Sequence, residues 1–203
     1  MSDFTKYLKH SLVSKLSIII GCTVILSISA WAYFNINNIK SQIMKNVISS
    51  TEQLSNSIKL GTHYAMMLNS RDDITQIINN IATQPGIENI RIYNKDGQIK
   101  FTNHEQEIDK IVDIKEVACD ICHRQDPPPV QIGLAQRMRF FRSEQGHRLL
   151  GIVQPICNER GCAMDCHFHP EHQTILGSLD VVVSLDPTDR QILKIERGII
   201  QFA

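Results

Sequence analysis

The chain has 203 residues, 21 of them basic and 21 acidic, so its formal charge is zero and no bulk electrostatic argument points to nucleic acid. The length suits one medium domain with accessory segments. Its hydrophobic fraction of 42% is ordinary for a globular protein but unevenly spread.

From Ser17 to Phe34 eighteen residues, SIIIGCTVILSISAWAYF, pass without a charge. That is about 27 Å of helix against a hydrocarbon core of roughly 30 Å. Lys6, Lys9, His10 and Lys15 precede the run against a single Asp3. The asymmetry predicts a cytoplasmic N-terminus over 1–16, a transmembrane helix over 17–35 and export of everything after Asn35. Trp31 and Tyr33 stand where an interfacial aromatic belt would be. The competing reading is a cleaved signal peptide, since SIS and AWA are small-residue tripeptides. The run is longer than a usual signal core, and helix-forming sequence continues through any cut site, which favours the anchor. Cys22, inside the run, reads as a small apolar filler.

Between Asn37 and Leu68 there is no proline, and the only glycine is Gly61. Met44, Val47, Thr51, Leu54, Ile58, Gly61, Ala65 and Leu68 recur at spacings of three and four. Two readings fit: a coiled-coil seam in a homodimer, or a face packed on the domain's own sheet. Ser70-Arg-Asp-Asp73 reads as a capping box opening a second helix, with Ile74, Ile77, Ile78 and Ile81 on one face and Pro85-Gly86 ending it. The period then changes to two. NIRIY, a turn at NKDG and QIKFT predict a β-hairpin with an Asp-Gly turn. LAQRMRFFRS, a turn at EQG and HRLLGIVQPI predict a second hairpin. A last strand runs over Ile175–Leu185, and Asp186-Pro187 start a helix to the chain end. Helices first, then about five antiparallel strands interrupted by cysteine-bearing loops, is an α+β pattern. The expected domain covers 36–185, with a C-terminal helix over 186–203 leading toward a second membrane segment.

Four of the six cysteines stand in two motifs. Cys119-Asp-Ile-Cys122-His123 is C-x-x-C-H, the attachment signature of c-type haem. Each thiol adds across a haem vinyl group, and the adjacent histidine becomes the proximal iron ligand. Three prolines after it, Pro127 to Pro129, stiffen the exit from the loop. C-x-x-C also serves zinc or thiol redox chemistry, but haem attachment takes place outside the bacterial inner membrane, where the anchor puts these residues. Cys162-Ala-Met-Asp-Cys166-His167 is one residue longer, C-x-x-x-C-H. It predicts a second haem with His167 as ligand, or a zinc site drawn from Cys157, Cys162, Cys166, His167, His169 and His172. Cys157 is left over in the haem reading.

IRIYNKDGQIKFTN, then C-x-x-C-H, then GIVQPICNERGCAMDCHFHPEHQTILGSLDVVVSL resembles the extracytoplasmic c-type haem sensor region of bacterial sensor histidine kinases and related signalling proteins. The resemblance covers roughly 36–197. It departs in the extra Cys157 and in NERGC, where the family usually carries a proline. It implies a PAS/Cache-like antiparallel sheet with haem-binding loops, haem c in one or two copies, and a second membrane helix with cytoplasmic signalling modules after residue 203.

For a sixth ligand, His63, Met66 and Met67 in GTHYAMML share one helix face, against a bland reading of the methionines as core. His169 and His172 are candidates at the second iron. No hydrolytic or transfer motif occurs, so no catalytic activity is expected of this chain. Three functions compete. The first is an anchored haem sensor, periplasmic and single-pass, reporting redox state or a diatomic gas as the input module of a histidine-kinase-type receptor. The second is an anchored dihaem cytochrome exchanging electrons with a redox partner, and the third a zinc- or disulfide-stapled ligand-binding domain.

Overall fold

The computed structural model describes residues 12–113, 132–158 and 174–202. Contacts divide the chain into two units, Met1–Lys45 with Thr188–Ala203, and Asn46–Pro187.

The first element is one unbroken helix, α1 (Leu12–Met67). Among the described residues it is the one helix long and apolar enough to cross a membrane, and none of its most apolar window is buried in protein. Ile18, Ile19, Ile20, Val24, Ile25 and Leu26 are all exposed. Successive residues sit 100° apart, so this run is apolar all round rather than along one stripe, as a lipid-facing helix requires. Two of its hydroxyls are satisfied locally: those of Thr23 and Ser27 donate to the carbonyls of Ile20 and Thr23, each at 2.8 Å, which lowers the cost of placing them in hydrocarbon.

In the second unit α1 ends at Asn69, whose φ of 52° is left-handed; the Ser70 amide donates back to the Ala65 carbonyl at 2.9 Å. The next helix, α2 (Arg71–Ala82), has Ser70 at its N-cap. The Ser70 hydroxyl donates to the Asp73 carboxylate at 2.6 Å instead of receiving a backbone amide, and the Ser70 amide goes to Ala65, so the helix starts where expected but the expected capping box does not form. Ile74 and Ile78 are buried.

Strands β1 (Ile87–Asn94) and β2 (Ile99–Thr102) form the first hairpin. The Asn94 side-chain oxygen accepts the amides of Asp96 and Gln98 at 3.0 and 2.9 Å. Gly97 takes φ 75°, and a Cβ there would lie 2.9 Å from the Val112 carbonyl oxygen, so the turn needs glycine twice over. After a helical turn, α3 (Leu134–Arg137), come β3 (Met138–Arg142), β4 (Arg148–Cys157) and β5 (Ile175–Ser184). The sheet order is β2-β1-β5-β4-β3, antiparallel throughout. A final helix, α4 (Asp186–Phe202), follows; in the first unit its Glu196 pairs with Lys40 of α1.

The predicted strand from Leu134 is shorter than expected. Residues Leu134–Arg137 are helical because Arg137 folds back. Its guanidinium donates to the carbonyls of Ile132 and Val153 at 2.9 and 3.3 Å and pairs with Glu52 of α1 at 2.9 Å.

Alternation gives the sheet two faces. Ile90, Ile92, Leu150, Ile152, Leu179 and Val181 lie on one, and α2 packs against β1 and β2. Thr51, Ile58 and Ala65 of α1 are buried in this same unit, Ile58 completely. That part of the periodic face is therefore used by the domain's own core. The exposed large apolar residues at that end of α1 are Leu60, Tyr64 and Leu68.

On the opposite face Arg91 and Glu107 form an ion pair, with Nε to Oε2 at 2.7 Å. Asn89 and Thr102 add donors at 3.2 and 3.3 Å. The Arg91 hydrogen bonds hold the Glu107 carboxyl at about 2, well below its ordinary 4.5, against the opposing effect of burial. A depressed carboxylate stabilises the fold above its unfolded value, and that stability is lost as pH falls through the folded one. Glu107→Gln is therefore expected to cost on the order of 1–2 kcal/mol at pH 7, allowing for solvent screening. The variant should also lose less stability than the parent between pH 4.5 and 2. Melting curves across that range check both; parallel curves would show that the pair contributes nothing.

Candidate functional site

His63, Met66 and Met67 occupy the last turn of α1, three and four residues apart, and the structure brings them together on one cavity of about 270 Å³. The left-handed Asn69 turns the chain sharply from α1 into α2, so the helix end and the start of α2 jointly roof the end of the sheet. Arg71 and Ile74 contribute from α2, and Ile92, Phe101, Ile156, Leu176 and Gly177 from the strands.

Two register shifts border this cavity, at Ile92/Tyr93 in the β1–β2 ladder and at Ile156/Cys157 in the β4–β5 ladder. Such irregularities redirect side chains where a sheet ends. Gly177 is required for a steric reason: a Cβ there would lie 2.0 Å from the Tyr93 carbonyl oxygen. Only glycine lets β5 approach β1 this closely.

The walls are mainly apolar, with positive charge at the margin. The Arg71 guanidinium sits over the Phe101 ring, 5.1 Å from its centroid, and Lys100 pairs with Asp109 at 3.0 Å. The arrangement offers imidazole and thioether donors to an apolar space.

Cys119, Cys122, His123, Cys162, Cys166, His167, His169 and His172 lie outside the described residues. The stem of the second cysteine segment is described. The Asn158 amide donates to the Thr174 carbonyl at 2.9 Å, and Ile156 and Leu176, two residues inside that stem, line the cavity. Among the described residues no cluster of three or more His, Cys, Asp or Glu side chains could hold a metal ion.

Sequence reasoning singled out His63, Met66 and Met67, which line this cavity, but not Arg71, Phe101 and Gly177. Strand alternation put Phe101 opposite Ile92 on one face; nothing local in the sequence says that Gly177 must clear a carbonyl on another strand.

No protein-family model and no curated protein matches the chain. Among solved structures it is similar to the ligand-binding domain of the Campylobacter jejuni chemoreceptor Tlp3 in complex with 4-methylisoleucine, at 7% identity and a TM-score of 0.49 over 79% of this chain. A second structure of the Tlp3 sensory domain gives 7% identity and 0.48 over 85% of this chain. The extracellular domain of a putative histidine kinase, vpHK1S-Z8, gives 13% and 0.42 over 86% of this chain and 63% of its own. The chain spans 59% and 64% of the two Tlp3 domains.

Proposed function

We propose that the chain is the membrane-anchored, extracytoplasmic input domain of a receptor, a PAS/Cache-like sheet carrying covalently attached haem c and reporting redox state or a diatomic gas. The reading rests on the two cysteine motifs, on the apolar helix that precedes the domain, and above all on the cavity at the end of α1. That cavity sets His63, Met66 and Met67 on one wall and the stem of the second cysteine segment on another.

The donor set fits the group. Imidazole and thioether are side chains that bind haem iron, so His63, Met66 or Met67 would be the residue α1 offers to it, and mainly apolar walls would keep competing water out. Cys119, Cys122 and His123 would hold one haem, and Cys162, Cys166 and His167 a second. Bound there, haem would supply reversible one-electron chemistry, and a gas would bind where it displaces the side chain offered from α1. The protein's part is to present a thioether or imidazole from α1, exclude solvent with Ile92, Phe101 and Ile156, and offer the positive charge of Arg71 to acidic substituents. Leu60, Tyr64 and Leu68 remain exposed for a second copy in a homodimer.

Intact mass after expression with c-type maturation tests the reading. Two haem additions are expected, one lost in Cys119→Ser/Cys122→Ser and the other in Cys162→Ser/Cys166→Ser. No addition at all would overturn it. One haem with stoichiometric zinc would assign the second cluster as a metal site.

A further inference from the structure

We propose that the hollow along the edge of β4 that no described strand covers binds a small carboxylate. β4 outruns one neighbour: β3 pairs with it only from Arg148 to Ile152, while β5 pairs as far as Cys157. Beyond Ile152 the strand borders a cavity of about 510 Å³ lined by Lys59, Arg137, Gln154, Pro155 and Cys157, among others.

Gln154 is the residue that asks for a ligand. It stands between Ile152 and Ile156 on the apolar face of β4, opposite the fully buried Leu179, and is only 8% exposed. Its amide opens on the hollow, where a ligand can take up its hydrogen bonds. Among the described residues no hydrogen bond meets the Gln154 side chain, and no carboxylate pairs with the Lys59 ammonium. Ser55, one helical turn before Lys59 and so on the same side of α1, has a buried hydroxyl that also lacks a partner.

Arg137 frames the hollow but is spent, its guanidinium committed to Ile132, Val153 and Glu52. Among the described residues lining the hollow, the charge left without a carboxylate is thus the ammonium of Lys59. One cation and one amide donor suit the two oxygens of a carboxylate monoanion, whereas phosphate is met by several cations or a nest of backbone amides. Ile132, Pro155 and the half-buried Cys157 thiol offer an apolar wall to its carbon chain. Pro155 has no N–H to give an added strand, which argues for a small ligand over a docked peptide at this edge.

The test uses the haem-loaded full chain in nanodiscs, titrated with butyrate by calorimetry. Saturable binding is expected, weakened at least tenfold in Lys59→Gln and in Gln154→Leu and undisturbed by equimolar inorganic phosphate. Gln154→Leu should melt at or above the parent temperature, since it removes an amide that meets no hydrogen bond among the described residues. Non-saturating heats, binding that survives both substitutions, displacement by phosphate, or a clear loss of stability in Gln154→Leu would each overturn the proposal. Haem mass and optical spectrum recorded on the same samples keep this outcome separate from the haem reading.

Discussion

Arg139→Leu is expected to destabilise the sheet domain by about 3–5 kcal/mol, because it strands a buried charge. Asp180 lies in the central strand β5 and is 0% exposed. The Arg139 guanidinium reaches it from β3 across the whole width of β4, donating to both carboxylate oxygens at 2.8 and 2.7 Å. The path exists because β4 has glycine at the crossing point. A Cβ on Gly151 would lie 2.7 Å from the guanidinium carbon. A melting temperature lower by roughly 10 °C is the measurable form of the loss. Arg139→Lys should rescue it only partly, since an ammonium cannot donate in a two-pronged fork. Arg139→Leu/Asp180→Leu should regain much of the stability, because a leucine pair leaves no charge behind. A double variant as unstable as the single one would mean that packing, not charge compensation, sets the cost.

The second large effect is spectroscopic. In the haem-loaded protein, one of His63→Leu, Met66→Leu and Met67→Leu is expected to abolish the low-spin spectrum of one haem and leave a high-spin one. Methionine-to-leucine exchange nearly conserves volume, so loss of the spectrum with an unchanged melt separates ligation from packing. All three residues lie in the final turns of α1, so an exchange of ligands on reduction or gas binding would act directly on that helix. A differential affinity of a few kcal/mol is enough to shift a two-state population. Spin labels at Gln53 in the two redox states would read that shift in a dimer. Unchanged spectra in all three variants would remove the route, and an unchanged spin-label distance would favour the electron-carrier reading.

Local signals in the chain specified much of the architecture. The uncharged run at Ser17–Phe34 marked the apolar part of α1, and Asn94-Lys-Asp-Gly97 marked the hairpin turn with its side-chain and glycine requirements. Period-two patterning found β1, β2, β4 and β5 to within a few residues. His63, Met66 and Met67 were legible as candidates from donor type and spacing alone.

Other features depend on partners distant in sequence. Leu134–Arg137 alternates like a strand yet forms a helical turn, because Arg137 finds Glu52, 85 residues away. The periodic face of α1 fitted a partner helix or a sheet equally well; burial of Thr51, Ile58 and Ala65 within the domain decided for the sheet at those positions. Gly151 and Gly177 look like weak points in their strands until the Arg139 fork and the Tyr93 carbonyl are set beside them. Sequence by itself determined most of the elements and the membrane-length run, since these follow from spacings of a few residues. Tertiary structure alone decided which candidate side chains share a cavity and which charge is compensated. Those depend on burial and close approach between strands and helices far apart in the chain, which local pattern does not encode.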